Sequence, residues 1–254
     1  MTDCSLSPAS ETPPLLGLHG ISKSYGHVHA LINVDFAIGP HEVVGLLGDN
    51  GAGKSTLVRI MSGVERPDSG TFTSGGRTIS IQSRRDSETY GVETIYQDIA
   101  LAGPMSITRN IFAGRELTSR FGFLRLKEMR QTAMEVLRHA VEIAGINSPD
   151  ILVEALSGGQ QQAVAIARAV HFKNKMLLLD EPTSALSVRE TENVLQYMSR
   201  LRSEGVSCVF VTHNIYHAYQ VCDRFVVMSH GRPVLNALRE NTSIEDLVRV
   251  IVSR

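Results

Sequence analysis

Runs of apolar residues come and go along this chain in two rhythms. Short unbroken runs, Glu42–Leu47, Gly91–Tyr96, Lys175–Asp180, Val206–Thr212 and Arg224–Ser229, predict strands buried on both faces, as in a parallel sheet. Longer stretches with apolar positions three and four apart, Lys54–Gly63, Leu126–Ala144, Gly159–Phe172, Val188–Ser203 and Ser243–Ser253, predict amphipathic helices. Alternation of the two predicts an α/β fold with a mostly parallel, helix-covered sheet. From about Asp98 to Gln162 the rhythm breaks, and the composition predicts a helical insertion between two core strands. No internal repeat is apparent.

Composition narrows the function classes. Twenty-five basic and 26 acidic residues leave a net charge of −1, which gives no general reason to expect a nucleic-acid partner. Aromatic residues are 6% and Trp is absent, which argues against a base-stacking platform. The three cysteines, Cys4, Cys208 and Cys222, lack metal-ligand spacing, and Cys208 reads as a small core residue. No apolar run approaches the ~20 residues of a spanning helix. Residues 1–14 are rich in Ser, Thr and Pro without a signal-peptide pattern and are expected to form a disordered tail, leaving 15–254 as a single domain.

Three motifs carry chemistry. Gly48-Asp49-Asn50-Gly51-Ala52-Gly53-Lys54-Ser55-Thr56 fits G-x-x-x-x-G-K-[ST] between a predicted strand and a predicted helix. Its glycines let backbone N–H groups converge on phosphate oxygens at a helix N-terminus, Lys54 adds a cation, and Ser55 is a candidate Mg²⁺ ligand. Met176–Glu181 is an apolar strand ending in two carboxylates. Beside a phosphate loop, Asp180 reads as a metal-side carboxylate and Glu181 as a base for water; alone, the pair could be solvated acids before Pro182. Leu156-Ser157-Gly158-Gly159-Gln160 precedes a helix, and Ser157 with the two glycines exposes a second set of donors. The plain alternative is a Ser N-cap with a glycine hinge.

The order Gly48–Thr56, Gln97, Leu156–Gln160, Met176–Glu181, Ser184-Ala185-Leu186 and His213 resembles the nucleotide-binding subunit of ABC transporters, over roughly Leu15 to Pro233. The resemblance implies a P-loop NTPase core with an antiparallel β edge region and an inserted helical subdomain. It implies ATP and Mg²⁺ as cofactors, with Ser55, Gln97 and Asp180 as metal ligands, and Glu181, His213, Lys54 and Gln97 as catalytic residues. It also implies that Tyr25 stacks on adenine; alone, that residue would read as a strand-end aromatic. Two subunits, expected here as a homodimer, would pack head to tail, so that the donors of Ser157, Gly158, Gly159 and Gln160 face a partner's γ-phosphate. A membrane permease, docked through Gln97–Glu116, and an external solute-binding protein are the further implied partners, at the cytoplasmic face of the inner membrane.

Thr94–Asp98, Asn110–Glu116 and Gln162–Val170 resemble importers of ribose-, xylose- or fructose-like monosaccharides, many of which carry two cassettes in one chain. An export or lipoprotein-release cassette and a soluble non-transport ATPase are the alternatives. Two positions depart from the common pattern. Ser187 stands where Asp is frequent, and Ser187-Val188-Arg189-Glu190 predicts a capping box. Ala163 stands where Arg is frequent, which implies a missing salt bridge. The basic stretch Arg115–Arg130, with Phe121 and Phe123, is expected to be a solvated lid over the insertion, with a membrane-surface patch as the alternative.

Overall fold

The computed structural model describes residues 12–96, 100–140, 146–172, 175–184 and 186–253. Strands are β1 (Leu16–Tyr25), β2 (Val28–Ile38), β3 (Val43–Leu47), β4 (Ser69–Ser74), β5 (Arg77–Ile79), β6 (Val92–Ile95), β7 (Met176–Asp180), β8 (Ser207–Val211), β9 (Arg224–Ser229) and β10 (Arg232–Leu238). Helices are α1 (Lys54–Met61), α2 (Arg84–Thr89), α3 (Ile107–Ile111), α4 (Leu126–Ala140), α5 (Gly158–His171), α6 (Val188–Ser203), α7 (Ile215–Val221) and α8 (Ile244–Val252). The chain divides into two compact units: residues 1–94, 174–181 and 198–254 form the first, and 95–173 with 182–197 the second.

The first unit is built on two sheets. One has strand order β10-β9-β3-β8-β7-β6. In it β3 lies parallel to both β8 and β9, β7 lies parallel to β8, and β10 closes the edge antiparallel to β9. All five residues of β3, β7 and β8 are buried, which is why they read as unbroken apolar runs. Cys208 is fully buried in β8 and its thiol is pushed up to about 12 by desolvation, as befits a core residue. The second sheet is antiparallel, order β2-β1-β4-β5. Its register slips between Leu18 and Ile21 in the β1–β2 pair, near Gly20 and Asn33, both at positive φ.

Arg224 ties the two sheets. It is 3% exposed; its Nε and Nη2 donate to the Glu42 carboxylate at 2.6 and 3.2 Å. Nη2 also donates to the Ala37 carbonyl (2.6 Å) and Nη1 to Asn236 Oδ1 (2.9 Å), so the buried cation is both paired and satisfied.

The second unit is helical and has its own core. Met129, Ala133 and Leu137, each one turn apart on α4, meet Ile107, Ile111 and Phe112 of the α3 region and Val153, Leu156 and Val164. Asn110, 2% exposed, accepts from the Ala102 N–H (2.7 Å) and donates to the carbonyls of Ala102, Met105 and Ser106, fixing the loop that enters α3. Among the described residues no helix is long and apolar enough to cross a membrane.

Candidate functional site

The phosphate loop connects β3 to α1. Gly48 has φ 137° and a Cβ there would lie 2.2 Å from the Met228 carbonyl oxygen, while Gly53, the N-cap of α1, has φ 103° and would press on the Ala30 carbonyl at 2.5 Å. Neither place admits a side chain, so the backbone itself can come close to whatever lies above it. Ala52 is held by its own N–H to Asp49 O (3.2 Å) and by the Gly231 N–H donating to its carbonyl (3.1 Å). Asn50, Gly51, Ser55 and Thr56 complete the turn into the first turn of α1, whose N–H groups have no intrahelical acceptors.

Lys54 is 6% exposed, and its ammonium donates to the carbonyls of Gly48 (2.7 Å) and Asp49 (2.9 Å). Burial lowers its pKa, opposed by the carboxylates of Glu181, Asp180 and Asp49 nearby. Asp180, the last residue of β7, is 8% exposed. It takes a hydrogen bond from the Ser55 hydroxyl, and burial raises its pKa. Its Oδ1 is buried without a hydrogen-bond partner. A buried carboxylate oxygen left unpaired beside a serine hydroxyl is the donor set a hard cation takes.

Glu181 stands just past β7 with φ 51°, a left-handed conformation uncommon for a residue with a Cβ. Its N–H donates to the Val211 carbonyl (3.0 Å), and both carboxylate oxygens lie 3.0–3.1 Å from His213 Nδ1. The Glu181 side chain is 12% exposed and that of His213 65%, so an inner carboxylate meets an outer, reachable imidazole. Tyr25 ends β1 and is 42% exposed; its hydroxyl donates to Glu65 (2.6 Å) and bonds the Thr56 side chain of α1. Lys23 lies 5.6 Å from the ring centroid and pairs with Glu65 and Asp68. Lys23, Glu65 and Asp68 were not expected from the sequence: each is a common surface residue without a motif of its own, and the two acids lie about forty positions from Tyr25.

The second unit carries the Leu156–Gln160 motif. Ser157 and Gln160 cap α5 reciprocally: the Gln160 N–H donates to Ser157 Oγ (3.3 Å) and the Ser157 N–H to Gln160 Oε1 (3.0 Å). The capping box expected at Ser187 is present, with Glu190 accepting from the Ser187 N–H (3.0 Å) and hydroxyl (2.8 Å). The same Glu190 does something the sequence did not foretell. Its other oxygen accepts from the Ser157 hydroxyl (3.0 Å), and it takes a backbone hydrogen bond from Gly159. These bonds, the Ser187 N–H foremost, hold its pKa below the ordinary range. A Cβ on Gly159 would meet the carboxylate at 2.3 Å. Ala163, in place of a longer side chain, lines a cavity of about 360 Å³ beside this pair, with Ile166, Val194 and Tyr197.

Thus Lys54, Ser55, Asp180, Glu181 and His213 gather in the first unit, and the Ser157–Gln160 donors in the second. Gln97 and Ala185 lie outside the described residues.

The family model described as "ABC transporter" matches residues 31–184. The chain is 44% identical over 241 residues to the Xylose/arabinose import ATP-binding protein XylG of Sulfolobus acidocaldarius, covering 94% of each. It is 36% identical over 241 residues to the Ribose import ATP-binding protein RbsA of Caldanaerobacter subterraneus, covering 95% of this chain and 48% of that one. It therefore spans about half the length of that ribose relative. Among solved structures, a nucleotide-free ATP-binding cassette from an ABC transporter superposes with TM-score 0.80 at 21% identity, over 95% of this chain and 96% of that one. The cassette MJ0796, solved as a dimer in a post-hydrolysis state bound to ADP and Pi, matches with TM-score 0.75 at 27% identity, over 89% and 100%. On the strength of the family match, these relatives and the site just described, the chain belongs to the ABC transporter family, as one of its ATP-hydrolysing cassettes.

Proposed function

We propose that this chain energises the import of a small solute, a monosaccharide of the ribose, xylose or fructose kind, through a membrane permease. The observation that supports the hydrolytic half is the gathering of Lys54, the Ser55–Asp180 pair with its unpaired oxygen, and the Glu181–His213 pair. The sugar rests on the import proteins of xylose/arabinose and ribose to which the chain is similar.

ATP would sit with its phosphates over Gly48–Thr56 and its adenine on the exposed ring of Tyr25. Lys54 would leave the carbonyls of Gly48 and Asp49 for the β- and γ-phosphate oxygens. Magnesium, when bound, neutralises charge on those oxygens; Ser55 and Asp180, joined by Gln97, would hold it. Glu181 takes the proton of the attacking water, its left-handed backbone aiming the carboxylate outward from the strand end. His213 contacts both Glu181 oxygens, so it positions the base and can turn to the γ-phosphate. Ser157, Gly158, Gly159 and Gln160 would cover the γ-phosphate held by a second copy packed head to tail. The permease would dock on Gln97–Glu116, with the cassette peripheral to the cytoplasmic face of the membrane and a solute-binding protein on the far side.

The test is genetic and chemical together. A strain lacking this gene is grown on ribose, xylose, arabinose or fructose as sole carbon source, and the purified chain is assayed for phosphate release from ATP with magnesium. Growth is expected to fail on one of the sugars and to return with the wild-type gene but not with Glu181→Gln. Normal growth on all four beside an active ATPase would overturn the sugar assignment and leave the hydrolysis standing.

A further inference from the structure

Residues 117–125 form a hairpin within the second unit. Thr118 and Leu124 make an antiparallel bridge, Ser119 N–H donates to the Phe123 carbonyl (2.8 Å), and Arg125 N–H to that of Leu117 (2.8 Å). At the tip, Ser119 Oγ accepts from the N–H groups of Phe121 (3.3 Å) and Phe123 (3.2 Å), and Gly122 supplies the positive φ of the turn, 81°. Leu117, at the base, packs on the apolar core of the unit. The tip does not: Phe121 is 71% and Phe123 75% exposed, with Leu124 and Leu126 also exposed. The rings are therefore held out by an ordered turn rather than folded over the helices as a lid. One exposed apolar residue needs no explanation, but a pair of aromatic rings on a structured tip marks a contact surface.

Charge says what kind of surface it fits. Residues 115–130 hold Arg115, Arg120, Arg125, Lys127 and Arg130 against Glu116 and Glu128, a local net of +3 in a chain of net −1; Arg125 pairs with Glu128 and Arg130 with Asp150. The Arg120 guanidinium lies 4.5 Å over the Phe121 ring, so cation and ring present themselves together. Cytoplasmic loops of membrane proteins are themselves enriched in Lys and Arg and would repel such a tip. An anionic lipid leaflet attracts it, and its interfacial layer accepts aromatic rings.

We propose that the 117–125 hairpin is a lipid-contacting element: Phe121 and Phe123 enter the interface of an anionic membrane while Arg120, Arg125 and Lys127 meet its headgroups. Two rings and a few charges give a reversible grip, an auxiliary to any contact with the permease.

The absence of Trp makes the test direct, because Phe123→Trp creates a single fluorescent reporter in the full chain. Its emission is followed as phosphatidylcholine vesicles, with or without phosphatidylglycerol, are added. A saturable blue shift is expected with phosphatidylglycerol, reversed by salt, and little with phosphatidylcholine alone. Arg120→Gln with Arg125→Gln should weaken partitioning roughly 25-fold, taking about fivefold per basic residue near an anionic surface. Co-sedimentation of the unsubstituted chain with both vesicle types guards against an effect of the new Trp itself. All variants should hydrolyse ATP in solution at the wild-type rate, since none touches the nucleotide residues. Emission unmoved by anionic vesicles, or moved equally by both kinds and insensitive to the arginine substitutions, overturns the proposal. A shift seen only when detergent-solubilised permease is added also overturns it, in favour of a protein contact.

Discussion

Both units present backbone and hydroxyl donors at a helix N-terminus, and they satisfy them in opposite ways. In the phosphate loop the side chain that folds in is a cation: Lys54 sits on the loop's carbonyls, and the N-terminus of α1 has no side-chain cap. Around it stand the Ser55 hydroxyl, a buried Asp180 oxygen without a hydrogen-bond partner and the Glu181–His213 pair, the groups to which hydrolysis is assigned in the proposal above. In the Leu156–Gln160 cradle the side chain that folds in is an anion: Glu190 takes the Ser157 hydroxyl and the Gly159 N–H. No metal ligand or base accompanies it in its motif. One cradle is a site waiting for a polyanion; the other has donors only, provisionally met by a carboxylate of its own chain. That asymmetry fits the head-to-tail pairing proposed above, in which the second cradle would lie over the γ-phosphate of another copy.

The two cradles can be separated genetically, with the largest expected effect. Glu181→Gln should keep ATP binding and lower hydrolysis ~10²–10⁴-fold, the usual loss on removing a general base. Ser157→Arg should also keep binding at its own phosphate loop yet lower hydrolysis, because a bulky cation replaces the donors. Mixed in equal amounts, the two inactive chains should recover part of the wild-type phosphate release, one supplying Glu181 and the other Ser157. A mixture as inactive as its components would mean that no site is shared between chains.

A smaller effect is expected at the first cradle alone. Lys54→Ala should weaken binding of a fluorescent ATP analogue by about 30-fold or more, the loss typical of removing one member of a buried charge pair. Unchanged affinity would mean that Lys54 does not hold the nucleotide's phosphates.

Glu190→Ala tests the second cradle. Loss of the cap on α6 should cost about 1 kcal/mol, or about 2–4 °C of Tm in a chain of this size. At the same time Ser157 and Gly159 are released, so the ATP-driven dimer of the Glu181→Gln chain should form at lower protein concentration, measured by light scattering. A loss of stability without easier association would make Glu190 a plain helix cap.

The smallest effect is Asp180→Asn. Burial raises the Asp180 carboxyl, and a carboxyl raised in the fold favours the fold in acid and opposes it as pH climbs through the folded value. Asn should therefore match Asp in acid and melt about 2 °C higher at neutral pH without nucleotide. Equal melting temperatures at both pH values would show that the buried charge is compensated.

What could be read beforehand follows the range of the interactions. β3, β7, β8 and β9 were legible because burial on both faces leaves unbroken apolar runs. The antiparallel sheet was expected only through resemblance: β4 is Ser-Gly-Thr-Phe-Thr-Ser, and the slips near Gly20 and Asn33 erase the alternation of β1 and β2. The short helices α2, α3 and α7 depend on side-chain caps from Ser83, Ser106 and Asn214 and are too brief to show a period. The phosphate loop is contiguous and announced itself. The bonds from His213 to Glu181 and from Ser157 to Glu190 span more than thirty positions, and no local pattern encodes them.

One consequence concerns how the chain is made. β3 is followed at once by the phosphate loop, but both of its neighbours in the sheet, β8 and β9, come more than 150 residues later. The loop's own supports are as late: the Met228 carbonyl lies against Gly48, and the Gly231 N–H bonds Ala52. At about 5–20 residues per second of synthesis, β3 spends roughly ten seconds or more as an unpaired apolar segment while the helical unit, with its more local contacts, can consolidate. A nascent chain that has not reached Gly231 lacks a finished phosphate loop, so nucleotide cannot steady the early intermediates. Completion of the phosphate loop thus waits for the last strands of the sheet.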